Sequence, residues 1–343
     1  MKGIILFAAI ILQLAATQTA YSQRAYGPRQ HFAPLGDFLL ENGKLIHDCK
    51  IGYRTYGKLN ATQSNAVIYP TAGATTTGLM ELFGIGEDVD TTRFYLILID
   101  ALGNGTSSSP SNSTSQPKAL FPQFTIRDMV YTQYKLLTEQ LGIHHLAAVI
   151  GNSMAGCQAL QWAVSFPNFM DKVISIEGTP KATTYDLLWM DTYIQAVKSD
   201  PAYKNGNYTV NPAIPLAARL SQLLITTPAT VNKTVTTDSF PKWLASVDRN
   251  TFIDCNDFLL QVKAVMMQDI SARVGGTLED AAKLIKAKLL IIANKQDNLI
   301  NQSLSIKFAG MANAQLIVMD SDLGHLVFNE KIVVDAERKF LSE

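Results

Sequence analysis

The chain has 343 residues, with 29 Lys and Arg against 29 Asp and Glu, 47% hydrophobic and only 17% charged. That balance excludes a disordered, collagen-like or disulfide-dense chain, and it leaves no net field to draw nucleic acid or an anionic membrane surface. Cys49, Cys157 and Cys255 are too few and too far apart for a Cys-x-x-Cys metal site or a disulfide framework, so no bridge is predicted.

The chain opens with Lys2, an apolar run over residues 3–12, and a small-residue region ending Ala20-Tyr21-Ser22. This pattern predicts a signal peptide over residues 1–22, cleaved after Ser22, and hence a secreted or periplasmic protein. The apolar run falls short of the ~20 residues that span a bilayer, and no other segment reaches that length. Asn-x-Ser/Thr triplets at Asn60, Asn104, Asn112, Asn207, Asn232 and Asn301 are glycan acceptors only in a eukaryotic secretory pathway.

Residues 37–56 hold two apolar runs around Asn42-Gly43, which predicts an antiparallel hairpin whose turn places both residues at positive φ. Residues 66–69, 94–99, 146–150, 173–176, 289–293 and 315–319 are continuously apolar, as strands buried on both faces of a parallel sheet must be. Helical patterns cover residues 126–141, stopped by Gly142, and residues 154–166, stopped before Pro167. The alternation breaks over residues 181–286, where helical segments such as 185–197 and 216–224 dominate. The chain is therefore expected to fold as an α/β core, residues 23–180 and 287–343, with residues 181–286 inserted as a helical lid. The Ser/Gly-rich stretch 103–118 reads either as a linker or as a polar loop over the site at a strand's carboxyl end.

Gly151-Asn152-Ser153-Met154-Ala155-Gly156 lies between a strand and a helix, where a Gly-x-Ser-x-Gly pattern makes a sharp turn that presents the serine. Ala155 departs from the strict pattern, and a plain helix-capping serine is the alternative. A serine nucleophile needs a base and an orienting acid, and His325 and Asp297 lie on loops after the two last strands. The order Ser, Asp, His is that of the α/β-hydrolase triad. Glu177, after the strand that follows the serine, is the runner-up acid, and Asp320 and Asp322 lie close to His325 in sequence. His31, His47, His144 and His145 read as surface or structural. The oxyanion donors are expected at the Met154 amide and at Thr71 or Ala72, in the loop after the strand 66–69.

The blocks Phe121-Pro122-Gln123-Phe124-Thr125-Ile126-Arg127-Asp128-Met129-Val130 and Gly151 to Ala163, with the glycine-rich segment 101–111, resemble the homoserine O-acetyltransferase branch of the α/β-hydrolase superfamily. The resemblance implies the same triad, Ser153, Asp297 and His325, and a substrate-carboxylate role for Arg219 in a lid helix. It also implies a tyrosine at the position of Thr226 and an aspartate at that of Leu326, and both are replaced here. Losing the aspartate removes a charge partner for an amine. Three functions follow: an exported serine hydrolase of esters, an O-acyltransferase using acyl-CoA and an alcohol, or a non-catalytic binding protein. The expected partner is a small acyl substrate, with no nucleic acid, no metal and no cofactor, and a homodimer left open.

Overall fold

The computed structural model describes residues 29–251 and 253–343; the signal-peptide reading of residues 1–22 lies outside them. An eight-stranded sheet carries the fold. Its strands are β1 (His31–Leu39), β2 (Leu45–Tyr56), β3 (Ala66–Pro70), β4 (Tyr95–Ile99), β5 (Leu146–Asn152), β6 (Met170–Ile176), β7 (Lys288–Asn294) and β8 (Gln315–Met319). Their order in space is β1-β2-β4-β3-β5-β6-β7-β8, with β2 antiparallel to β1 and to β4 and every other pairing parallel.

The continuously apolar runs are what a sheet covered on both faces demands. Along β3, β6 and β7, Ile68, Val173, Leu289 and Ile291 face one core, while Val67, Tyr69, Ile174, Leu290 and Ile292 face the other. Each such Val, Leu or Ile taken from water contributes about 1.5–3 kcal/mol, so both faces of this sheet stabilise the fold. The strand β8 departs from the expectation. It forms the sheet edge, and Leu316 and Val318 are more than a third exposed.

The N-terminal hairpin also differs in detail. The strand β1 starts at His31, and the turn spans residues 40–44, with the Gly43 amide donating to the Leu40 carbonyl. Only Gly43 takes positive φ (82°), because a five-residue connection needs one left-handed position and not the pair of a two-residue turn. Asn42 instead donates its side-chain amide to the Gln123 carbonyl at 2.7 Å.

Helices α1 (Thr77–Phe83), α2 (Ile126–Lys135) and α3 (Met154–Ser165) belong to the first half of the core. At α2 the Thr125-Ile126-Arg127-Asp128 block forms a capping box, and the second Asp128 oxygen accepts the Glu41 amide at 2.9 Å. Arg127 reaches Glu41 at 3.4 Å, so this block ties the hairpin tip to α2. A π-helical turn (Leu136–Gln140) continues α2 before Gly142 (φ 64°).

Between β6 and β7 the chain forms α4 (Thr184–Ser199), α5 (Pro215–Ile225), α6 (Pro228–Thr234), α7 (Phe240–Asp248), α8 (Cys255–Met266) and α9 (Leu278–Leu284). Two helices follow in the core, α10 (Ser303–Met311) and α11 (Lys331–Ser342). Among the described residues, no helix is long and apolar enough to cross a membrane.

The serine-rich stretch 103–118 is not a linker. Ser107, Ser108 and Ser109 are buried, and the hydroxyls of Ser107 and Ser108 accept the amides of Gly52 and Lys50 on β2 at 2.9 Å. The serines replace missing backbone partners. Asn104 is buried as well, its side-chain amide donating to Asp100 at 2.8 Å and to the Thr75 carbonyl at 3.1 Å, which leaves that triplet no room for a glycan in the folded state.

Candidate active site

Ser153 sits between β5 and α3 at φ 56°, ψ −125°, a region costly to a residue with a Cβ by roughly 1–3 kcal/mol. Glycines make the turn feasible. A Cβ on Gly151 would lie 2.2 Å from the Ala155 carbonyl oxygen, and one on Gly156 would lie 2.9 Å from Gly178 Cα. Ala155 fits where the strict pattern has glycine because Gly151 yields the space: a Cβ there would come within 2.9 Å of that of Ala155. The Ser153 amide donates to the Ile176 carbonyl at 2.8 Å, and the hydroxyl makes no capping bond, so it is held out from the helix it precedes.

The hydroxyl meets His325, whose Nε2 lies 2.7 Å from Ser153 Oγ. On the far side of the ring, Nδ1 lies 2.8 Å from Asp297 Oδ2. An ionised carboxylate can only accept, so Nδ1 carries the proton and Nε2 presents its lone pair to the serine hydroxyl. Asp297 is itself fixed: Oδ1 accepts the Leu299 and Ile300 amides at 2.8 and 3.0 Å, and Oδ2 accepts Gln302 Nε2 at 3.2 Å. The structure thus brings together three residues separated by up to 172 positions in the chain.

Glu177, the runner-up acid, is also here. Its Oε2 is 4.0 Å from His325 Nδ1, beyond hydrogen-bonding distance, and the side chain is 1% exposed. Burial first, and then the charges of Asp297 and Glu330, hold its carboxyl well above the usual range. Neither Asp320 nor Asp322 reaches the imidazole: Asp320 accepts from Gln296 Nε2 at 2.8 Å, and the Asp322 carbonyl accepts from Thr227 and Thr230.

The two oxyanion-loop candidates separate. The Thr71 amide donates to the Ile99 carbonyl at 2.8 Å, and its hydroxyl accepts the Ala101 amide at 3.0 Å, so Thr71 is a structural anchor whose backbone N–H is already spent. The Ala72 amide has no acceptor among the described residues. Met154 opens α3, where an amide has no intrahelical partner. Arg219 makes no hydrogen bond or ion pair with the triad residues. Its Nε and Nη2 donate to the two Asp248 oxygens at 2.7 and 2.6 Å, on an exposed contact between α5 and α7.

Several positioning residues had no visible signal in the sequence. Asn294, at the end of β7, donates to the Ser321 and Gly324 carbonyls at 2.9 and 2.7 Å and so clamps the His325 loop to the Asp297 loop. A buried polar chain runs from Trp162 Nε1 to Gln133 (2.7 Å), from Gln133 to Gln158 (2.5 Å), and from Gln158 to the Thr71 carbonyl (3.2 Å), linking α2 and α3 to the oxyanion loop. The helical segment reaches the site too. The His325 amide donates to the Ile225 carbonyl of α5 at 3.0 Å, and a Cβ on Gly324 would sit 2.8 Å from Thr226 Cα. From the other side, a side chain on Gly73 would touch Phe258 of α8 and Met154.

The family described as alpha/beta hydrolase fold matches residues 65–332. The chain belongs to that family. Among relatives of this α/β hydrolase, an ethyl acetate hydrolase of Pseudomonas veronii is 31% identical over 290 residues, 81% of this chain and 83% of the relative. A homoserine O-acetyltransferase of Nautilia profundicola is 30% identical over 302 residues, 76% of this chain and 82% of the relative. Among solved structures, an acetylester hydrolase from Corynebacterium glutamicum superposes with a TM-score of 0.84 at 27% identity, over 91% of this chain and 95% of that one. The α/β-hydrolase core and the branch resemblance drawn from the residues agree with these findings.

Proposed function

We propose that this α/β hydrolase is an exported serine esterase that cleaves small acyl esters through an acyl-enzyme on Ser153. Ser153 Oγ attacks the ester carbonyl while His325 Nε2 takes its proton. Asp297 orients the imidazole and stabilises the imidazolium that forms. The amides of Met154 and Ala72 receive the oxyanion, where fixed N–H donors act more strongly than water. The imidazolium then protonates the departing alcohol, and water, activated by the same nitrogen, releases the acid.

The observation that carries this reading is the continuous hydrogen-bond chain from Ser153 to His325 to Asp297, built on a strained turn. The esterase names of similar proteins support an ester substrate. Leu326, where the resemblance implies aspartate, argues against an amine-bearing acceptor such as an amino acid, since a buried ammonium there would have no partner. Export rests on the sequence of residues 1–22 and fits hydrolysis, because water is plentiful outside a cell and acyl-CoA is not. O-acyl transfer is the second reading, favoured by the homoserine O-acetyltransferase relatives. Both share the acyl-enzyme.

The deciding experiment labels purified protein with a fluorophosphonate and measures turnover of short-chain esters and acetyl-CoA with and without added alcohols. Labelling of Ser153 with free acid as the product supports the esterase. Acyl-alcohol formed in preference to acid overturns it in favour of transfer, and no labelling of Ser153 overturns both. N-terminal sequencing of protein recovered from outside the cytoplasm tests export, and a mature chain starting near Gln23 is expected.

A further inference from the structure

Glu177 is the buried titratable group at this site that the reaction leaves unused. It follows β6 directly at φ 50°, a conformation unfavourable to any residue with a Cβ, and its amide donates to the Ile292 carbonyl of β7 at 2.8 Å. Oε1 is buried with no hydrogen-bond partner among the described residues, a costly state for a polar atom. Oε2 lies 4.0 Å from His325 Nδ1, the same nitrogen that Asp297 holds at 2.8 Å. One nitrogen and two carboxyl oxygens thus lie within 4.8 Å of one another behind the imidazole. The groups that face Glu177 are the charged Asp297 on the loop after β7, the charged Glu330 ahead of α11, and the His325 imidazole. Burial above all, and then the charges of Asp297 and Glu330, push the Glu177 carboxyl well above its ordinary value.

We propose that Glu177 is the second acid of the site, a positioning residue that shares the Nδ1 edge of His325 with Asp297 and takes over that hydrogen bond when Asp297 is neutralised. The inference rests on the serine-esterase reading. In the resting enzyme Nδ1–H donates to the Asp297 carboxylate. When the Ser153 proton passes to Nε2 and the Oγ–C bond forms, the ring's positive charge lies against the Asp297 carboxylate and beside the Glu177 carboxyl. Replacing Asp297 by Asn removes the neighbouring negative charge. The Glu177 carboxylate, no longer repelled by Asp297, then closes from 4.0 Å to hydrogen-bonding distance of Nδ1–H.

The experiment compares wild type, Asp297→Asn and the Asp297→Asn/Glu177→Gln double variant, reading kcat/KM on a short-chain ester and the low-field proton NMR signal of a hydrogen-bonded Nδ1–H. Asp297→Asn is expected to lose about 10²-fold in kcat/KM and to keep the low-field signal. The double variant is expected to lose about 10⁴-fold, the loss that follows when no acid holds the imidazole in its working tautomer, and to lack the signal. Equal losses in the two variants, with no signal in Asp297→Asn, overturn the proposal. If the double variant fails to fold, the signal in Asp297→Asn decides alone. A wild type that neither turns over ester nor takes the label sinks the esterase reading, and the NMR comparison still reports on Glu177.

Discussion

The sheet and the helical segment between β6 and β7 are held together in different ways. Every residue of β3 is buried, as are all of β7 beyond Lys288, and the loops at their carboxyl ends carry the oxyanion loop and Asp297. The helices of residues 184–284 leave Leu188, Leu216, Leu223 and Phe240 from 47% to 74% exposed. A stiff, two-sided core can hold three side chains within 3 Å of one another, as proton transfer requires. The helices between β6 and β7 reach the site through Ile225, Thr226 and Phe258.

The largest expected effect breaks the rigid side of that contrast. Ser153→Ala should lower ester turnover by about 10⁶-fold and leave the melting temperature unchanged or raised, since the hydroxyl supports no part of the fold. Activity within 100-fold of wild type would refute Ser153 as nucleophile.

A smaller effect probes the seam between the two regions. Asp257 of α8 accepts the Ser111 amide and hydroxyl at 2.9 and 2.5 Å, and burial, against the Ser111 hydrogen bonds and with help from the Asp254 charge, raises its carboxyl from 3.8 to about 7. A folded carboxyl raised in this way binds its proton more tightly than the unfolded chain does. Its penalty is absent below about pH 4, grows as pH rises, and is complete above about pH 7. Asp257→Asn should therefore stabilise the protein at pH 8 by on the order of a few kcal/mol more than at pH 4. Thermal melts at both values check this, and a pH-independent difference refutes it.

Gln158→Leu should next lower kcat several-fold with little change in KM, and cost about 1–3 kcal/mol, because Gln133 and the Thr71 carbonyl lose a buried partner. Steady-state kinetics and denaturant melts separate the two effects. Arg219→Ala comes last: kcat/KM for a neutral ester and the melting temperature should both stay within error of wild type, since its guanidinium is occupied by Asp248 at the surface. A selective rise in KM for a carboxylate-bearing substrate would restore Arg219 to a substrate role.

Much of this core could be read in the sequence because local rules act there without competition. Apolar runs such as 146–150 and 289–293 have one stable place, inside a covered sheet, and Gly151 and Gly156 betray a turn that admits no larger residue. The expectation for Ser153 came from its glycine-flanked turn, and that for Asp297 and His325 from their loops after the last two strands and the chain order of the three. What escaped was non-local. No motif announces that Asn294 spans two loops, that the Thr71 amide is spent on Ile99, or that Arg219 meets a partner 29 residues away. The serine-rich stretch misled for a physical reason: low complexity suggests freedom, yet short hydroxyls are well suited to satisfy a neighbouring strand's backbone.

The hydrogen bond from the His325 amide to the tail of α5 makes the covering helices something other than a free flap. Any opening that carries Ile225 outward tugs on the general base and spoils its alignment. A displacement of Ile225 is therefore expected to reach the imidazole through that one backbone bond.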